Sequence, residues 1–202
     1  MSATPTTRTI ARAAALALLL GLGTVHAGAT NPPVKVTSGG GSALLIEAIK
    51  TKRPDLVRTL VKSGVDVNGA SAGDGTALIY AAGEGDAAMV AELIALGANV
   101  NQPSMGDGSP LIAAAQSGSL EVAKQLMAAG AKPDLIVPGD ETALINAARD
   151  GKLDMVKLLV AGGADVNLGA PADDGSKKLR TPLNQASSSA IRQYLSSKGA
   201  KR

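Results

Sequence analysis

Aspartates recur at a fixed step along this chain, and carboxylates often act as acids, bases or cation ligands in proteins. They stand at Asp74, Asp107 and Asp140, 33 residues apart, and the pair Asp173–Asp174 follows. Three roles fit such a series: a local hydrogen bond in a turn or beside a helix N-terminus, an acidic edge for a basic partner, or a row of calcium sites. Calcium fits worst, because it takes about six to eight oxygen ligands. We leave the first two roles open and expect no metal.

Histidine and cysteine, which carry most nucleophilic and zinc chemistry, are almost absent. The chain has no cysteine, and its one histidine, His26, lies in a segment that we expect to be removed. Histidine-based triads, thiol nucleophiles and the usual zinc ligand sets are therefore excluded from the expected mature chain. The acids recur at a repeat period instead of converging on one cleft, so we expect neither enzyme activity nor a cofactor.

Two sequence phrases share the 33-residue step of the aspartates and define the elements that must position them. Thr-Ala-Leu-Ile-Tyr-Ala-Ala at 76–82 returns in similar form at 109–115 and 142–148. Gly-Val-Asp-Val-Asn at 64–68 returns at 97–101, 130–134 and 163–167. Leu45 stands one step before Leu78, and Thr181-Pro182-Leu183 restarts the first phrase, so we count five units.

Each unit reads as a short helix, a tight turn and a second helix. A hydroxyl residue such as Thr76 precedes the first helix and can cap its N-terminus. The paired alanines that follow, as at Ala81–Ala82, let neighbouring units approach closely. The second helix has apolar residues at i, i+1, i+4 and i+5, and a glycine such as Gly64 stops it. No unit can bury its apolar stripe alone, so stability depends on stacking.

This 33-residue period and its punctuation resemble the ankyrin repeat, over about residues 42–200. The resemblance implies an all-α solenoid of about five helix-turn-helix repeats joined by finger loops. Two departures are visible: Ile79, Ile112, Ile145 and Asn184 replace the usual His of the first phrase, and the usual Asp-Gly-x-Thr of the finger is shifted. The expected repeats cover about 42–74, 75–107, 108–140, 141–179 and 180–202, which together form a repeat domain at 42–202.

The resemblance also implies a concave binding surface, lined by the fingers and by the exposed side of the first helices. Tyr80, after a Leu-Ile pair, is a candidate anchor for a partner and equally a candidate packing residue. Met105, at a finger tip, has the same two interpretations. The candidate partner-binding residues are Tyr80, Glu84, Met105, Asp74, Asp107, Asp140, Asn146 and Arg149.

Residues 1–27 have the layout of a secretory signal peptide. Arg8 and Arg12 precede an apolar core at 13–22, which has roughly half the length that a membrane span needs. We expect cleavage after Ala27 or Ala29, followed by a flexible linker over 28–41. The expected product has no stable membrane insertion and resides in the periplasm or is secreted.

Charge is segregated along the chain. Residues 63–123 contain seven acids and no Lys or Arg, whereas residues 177–202 contain seven Lys or Arg and no acid. The array then has either oppositely charged ends or ordinary solvated terminal repeats. Nucleic acid is not an expected partner, because the basic residues sit mainly at the termini and only Tyr80 and Tyr194 could stack on bases.

These features predict a monomeric scaffold that binds another protein. The repeat sequences also resemble those of exported bacterial ankyrin proteins. An inhibitor or immunity protein and a stress-related accessory protein are two versions of this function. The alternative is a structural module that docks to the cell envelope through a basic tail, Lys177–Arg202. The identity of the partner does not follow from the sequence.

Overall fold

The computed structural model describes residues 40–137, 139–171 and 179–201. The predicted signal peptide, residues 28–39 of the linker and Asp173–Asp174 lie outside the described residues. Within them, five helix pairs follow one another, and the predicted all-α solenoid is confirmed.

The elements are α1 (Gly40–Lys50), α2 (Pro54–Lys62), β1 (Ala70–Ser71), β2 (Gly75–Thr76), α3 (Ala77–Gly83), α4 (Ala87–Ala95), α5 (Pro110–Ser117), α6 (Leu120–Ala128), α7 (Ala143–Arg149), α8 (Leu153–Ala161), β3 (Ala170–Pro171), β4 (Leu179–Arg180), α9 (Pro182–Gln185) and α10 (Ser189–Ser197).

A hydroxyl side chain fixes the start of the first helix in each of the last four repeats. Thr76 Oγ1 accepts a hydrogen bond from the Ile79 amide at 3.2 Å and so satisfies a donor that has no partner inside the helix. The predicted caps are thus confirmed. The same bond joins Ser109 to Ile112, Thr142 to Ile145 and Thr181 to Asn184.

The paired alanines form the contact between neighbouring repeats. Ala81, Ala114 and Ala147 are fully buried, as are the alanines that follow them. Each second helix buries its own apolar stripe, such as Met89, Val90 and Leu93 of α4. The first helices of successive inner repeats lie in closer contact than the second helices do, which makes the first-helix side the concave side of the array.

A row of Asn and Asp side chains joins each repeat to the next at the end of the second phrase. Asn68 Oδ1 accepts a hydrogen bond from the Asn99 amide of the following repeat at 2.7 Å. The bond thereby gives a partner to a loop amide that has none in a helix or a sheet. Equivalent bonds run from Lys132 to Asn101, from Asp165 to Asp134 and from Lys201 to Asn167.

The first helix is longer than its equivalents and begins inside the predicted linker. That linker covers 28–41, whereas α1 starts at Gly40. Ser42 is buried in the added turn, and Gly69 lies so close to it that a side-chain carbon on Gly69 would come within 2.4 Å of the Ser42 hydroxyl. The bare backbone at Gly69 therefore gives the start of α1 a surface to pack against.

The fifth repeat has a shorter first helix than the inner repeats do. Helix α9 has four residues, and α10 follows after a cap in which Ser188 accepts from the Ile191 amide. Ile191 and Leu195 are fully buried against the preceding repeat. The remaining positions of α10 are mostly exposed and polar, which suits a repeat at the end of a stack.

Candidate interaction surface

Three of the finger loops turn in the same way. The amides of Asp74, Asp107 and Asp140 donate to the carbonyls three residues earlier, at 3.3, 3.1 and 2.9 Å. A glycine with φ of +84° or +85° precedes each aspartate, as type II turns require. The fingers therefore hold their tips through backbone geometry, which leaves the tip side chains available for other roles.

Successive fingers lie side by side at the first junction. Gly75 is so close to Asp107 that a side-chain carbon on Gly75 would come within 3.1 Å of the Asp107 Cβ. The absence of a side chain at Gly75 thus permits the second finger to lie against the first. This packing gives the fingers a common edge on which residues from different repeats can act together.

The side chains of Asp74 and Asp107 have different kinds of partner. Asp74 accepts from the Lys50 ammonium at 3.2 Å, and Asp107 accepts from the Ser104 hydroxyl at 2.9 Å. Asp140 is half-buried. The turn-forming role is thereby favoured for Asp107, whereas the Asp74 side chain pairs with a cation of α1. Among the described residues, no group of three His, Asp or Glu side chains is arranged to hold a metal ion.

Tyr80 lies half-buried on the concave side, beside a charged pair. The Lys50 ammonium stands 5.1 Å from the centre of its ring, in the range of a cation–π contact. The hydrogen bond that the Lys50 ammonium donates to Asp74 raises the pKa of Lys50. Glu84, at the end of α3, is exposed nearby in sequence. Lys50 lies over the Tyr80 ring and the residue is still accessible, which fits both the packing and the anchor interpretation.

A buried carboxylate organises the opposite part of the concave side. Glu141 is only 6% exposed and accepts hydrogen bonds from Arg149 and, at 2.8 Å, from Arg180 of the fifth repeat. Asn146 differs from the expectation that it faces a partner, because it is 3% exposed. Its side-chain oxygen accepts hydrogen bonds from Arg149 and from Gln116, so the buried Asn146 holds these two side chains in place.

Lys152 closes the carboxyl end of α5. Its ammonium donates to the carbonyls of Ala115, at 3.1 Å, and of Gln116, and it pairs with Asp150 at 3.3 Å. A cation at this place suits the negative end of the helix dipole. The contact also links the fourth repeat to the third. Lys152 thus acts within the stack, and the predicted contact Arg149 stands beside it.

The exposed large apolar side chains lie on finger loops. In the described part of the chain, large apolar side chains are exposed at Met105 (84%), Ile136 (41%) and Leu179 (55%). All three belong to finger loops of consecutive repeats. Met105 was predicted from the sequence as a candidate contact, whereas Ile136 and Leu179 were not. Ile136 gave a similar signal, because it too lies in a loop between helices.

The charge segregation seen along the sequence is partly cancelled in space. Of the acids between residues 63 and 123, Asp74, Asp86 and Glu92 pair with basic residues of the first repeat. At the other end, the predicted basic tail is folded: residues 179–201 form β4, α9 and α10. Arg180 pairs with Glu141, and the Lys198 ammonium lies 5.7 Å from the Tyr194 ring.

The sequence matches the family described as "Ankyrin repeats (3 copies)" over residues 44–137 and again over residues 111–201. The chain belongs to the ankyrin repeat family. Proteins of this family are interaction scaffolds, so protein partners are the general expectation. No curated protein matches the chain in sequence. None of the helices in the described ranges is long and apolar enough to span a bilayer.

Proposed function

We propose that this ankyrin repeat protein is an exported scaffold that binds another protein through its finger surface. The finger surface consists of the exposed apolar finger residues Met105, Ile136 and Leu179 and, on the first helices, of Tyr80 and its polar neighbours. The observation that carries the proposal is the exposure of these three apolar residues by a chain that buries the apolar stripes of its helices. Where exposed apolar side chains form a contiguous patch, the patch is typical of a docking surface.

Polar residues on the same side of the array give the proposed interface a composition that is common among protein interfaces. Interfaces have an apolar or aromatic centre and a polar rim. Lys50 and its partner Asp74 lie beside Tyr80, and the exposed residues Glu84 and Arg149 lie at the ends of α3 and α7. Asp107 and Asp140 hold the turns that present the tips. Charged rim residues act mainly on the association rate, whereas a buried anchor acts mainly on dissociation.

Export is supported by the sequence before the repeats. Arg8, Arg12 and the apolar core at 13–22 match a signal peptide, and the periplasm is the proposed destination, with secretion as the alternative. Mass spectrometry of the protein from envelope fractions of its source cells should find the N-terminus at Gly28 or Thr30. An intact N-terminus in those fractions would refute export and leave the binding surface to be tested separately.

The binding surface is tested by affinity capture with the mature protein as bait. A triple variant, Met105→Ser, Ile136→Ser and Leu179→Ser, should lower capture of the partner at least about tenfold, as loss of hot-spot contacts does. Its melting temperature should stay unchanged, because these side chains are exposed. The matched control carries Lys124→Ser and Lys157→Ser on the exposed faces of α6 and α8 and should capture normally.

Envelope docking through the basic fifth repeat is the competing outcome. The folded repeat allows a charge test that leaves the stack intact: Lys198→Glu with Lys201→Glu, both exposed positions. Loss of capture by this variant, together with normal capture by the finger variant, would contradict binding through the fingers.

A further inference from the structure

Met105 stands alone at the tip of the second finger. The Asp107 amide donates to the Ser104 carbonyl at 3.1 Å, and the Ser104 amide donates to the Gly108 carbonyl at 2.9 Å, which closes the loop beneath the tip. Gly106, with φ of +84°, supplies the left-handed residue of the turn. The loop therefore projects Met105 into solvent, where the residue is 84% exposed.

The fold does not need a thioether at this position. The first finger makes the same turn with Ala72 at the matching place: the Asp74 amide donates to the Ser71 carbonyl at 3.3 Å, and Gly73 has the same φ of +84°. A residue with a single methyl group thus serves this turn equally well. The rest of the Met105 side chain is free to act on something outside the repeat stack.

The other methionines of the described residues are protected. Met89 and Met155 are buried, at 4% and 1% exposure. Met127 is half-buried, and its sulfur lies against Gly162 so closely that a side-chain carbon there would come within 2.6 Å of it. Met105 is thus the one methionine in the described ranges whose side chain is largely open to solvent.

We propose that Met105 is a selective and reversible oxidation site on the finger surface. A lone pair on the sulfur attacks one oxygen of hydrogen peroxide or a similar two-electron oxidant. The sulfur–oxygen bond forms as the oxygen–oxygen bond breaks, and after proton transfer the second oxygen leaves as water. The sulfur is oxidised by two electrons and the peroxide is reduced, which yields methionine sulfoxide, a group that sulfoxide reductases return to the thioether.

Oxidation at this place changes the chemistry of the surface and leaves the fold intact. A sulfoxide is polar and accepts hydrogen bonds, so a buried contact to an apolar pocket becomes costly. Since the turn is built from backbone groups, neither α4 nor α5 should respond. The effect on a partner rests on the proposed function, whereas the selectivity of oxidation does not.

Peptide mapping of the full chain, treated with hydrogen peroxide at neutral pH, tests the selectivity. Met105 sulfoxide should form roughly ten times faster than sulfoxide at Met89, Met127 or Met155, because susceptibility follows exposure. The helical circular-dichroism signal and the melting temperature should not change. In urea, where the chain is unfolded, these four methionines should be oxidised at similar rates. Equal rates in the folded protein, or a preference for Met105 that persists in urea, would overturn the proposal.

A second measurement separates this inference from the proposed function. Oxidised wild type should capture the partner more weakly than untreated protein, whereas Met105→Ala, the residue of the first finger, should bind equally before and after treatment. Selective oxidation without any change in capture would keep Met105 as a modification site and contradict its role as a contact. Weaker capture by oxidised Met105→Ala would show that oxidation acts on another residue and would overturn the control of binding by Met105 oxidation.

Discussion

Lys52 occupies a place that glycine fills in the next three repeats. Its φ is +54°, and Gly85, Gly118 and Gly151 have φ of +68°, +82° and +76° at the equivalent positions. A side chain in this region strains the backbone by about 1–2 kcal/mol. Lys52 offsets part of that strain through an ion pair with Asp86, whose oxygen lies 2.7 Å from its ammonium.

A matched pair of substitutions separates the two effects at Lys52. Lys52→Gly loses the ion pair and relieves the backbone, so its free energy of unfolding should stay within about 0.5 kcal/mol of wild type. Lys52→Ala loses the ion pair and keeps the strain, so it should be about 1 kcal/mol less stable than Lys52→Gly. Urea denaturation measures both. Equal stability of the two variants would show that the positive φ costs nothing here.

Glu141 is the buried charge on which the last two repeats depend. Glu141→Gln should lower the free energy of unfolding by about 1–3 kcal/mol, because the carboxylate accepts charged hydrogen bonds from Arg149 and Arg180. The arginines are partly exposed and can hydrate, which keeps the cost below that of a fully buried pair.

The control for Glu141 is the exposed pair of Arg53 and Asp55, whose nitrogen and oxygen lie 2.8 Å apart. Asp55→Asn should leave stability close to that of wild type, as for most surface ion pairs. Denaturation curves of the two variants should therefore be clearly separated. If Glu141→Gln were as mild as Asp55→Asn, the buried carboxylate would not be a structural centre.

At the scale of the elements, the alanine faces of the first helices set how closely repeats approach. Ala114 on α5 is fully buried, whereas Ala128 at the end of α6 is exposed. Ala114→Leu should lower stability by about 1–3 kcal/mol through overpacking, and Ala128→Leu, the same chemical change, should be nearly neutral. Thermal melts of both variants check this. Similar melting temperatures would mean that the helices meet through another face.

The first repeat is joined to the second by ion pairs that the second-to-third junction lacks. Lys52 and Arg58 reach across to Asp86 and Glu92, and Lys50 pairs with Asp74 in the finger that leads to the second repeat. The positions one repeat later are Gly83, Gly85 and Ala91, which cannot form such pairs. Docking of α1 and α2 should therefore depend on salt and pH more than the stacking of the inner repeats does.

Acid should loosen the first repeat before the others. The hydrogen bond from Lys52 lowers the pKa of Asp86, and that from Arg58 lowers the pKa of Glu92. A carboxylate with a depressed pKa stabilises the fold above its unfolded pKa, near 4, and loses that contribution as the pH falls through the lower folded value. The docking should thus be intact at pH 5 to 7 and weaken below about pH 4.

Hydrogen exchange read by mass spectrometry, corrected for intrinsic rates, can follow this junction. Protection in α1 and α2 should fall in about 1 M salt or below about pH 4, while protection in α5 and α6 stays high. A Lys52→Met, Arg58→Met variant should show the lower protection already at neutral pH and respond less to salt. Uniform loss of protection along all repeats would contradict a separate electrostatic junction.

At the scale of the whole molecule, the repeat period accounts for most of what could be predicted from the sequence. Thr76 and Gly64 have local roles, a helix cap and a helix stop, so their spacing alone placed the helices. The ion pairs of Lys50 and Arg180 join residues 24 and 39 positions apart and differ from junction to junction. No local rule predicts them, and the burial of Asn146 depends on the same neighbours.

The location of the candidate surface could be predicted from the sequence, but only some of the residues that form it could. The turn dipeptides located the fingers, so Met105 and the finger aspartates were found. Ile136 and Leu179 were missed because a lone apolar residue in a loop looks the same in sequence whether a neighbouring repeat covers it or not. Only the stacked structure shows that both are exposed.

The central claim is that the stack exists to hold its fingers against a protein partner. Site-specific photo-crosslinking in the source cells tests it most directly, with a photoreactive residue placed at 105 or 136 on the fingers and at 124 or 157 on the exposed second helices. The account predicts a cross-linked partner from 105 and 136 and none from 124 or 157. Cross-linking from the second helices alone, or equally from both faces, would contradict it.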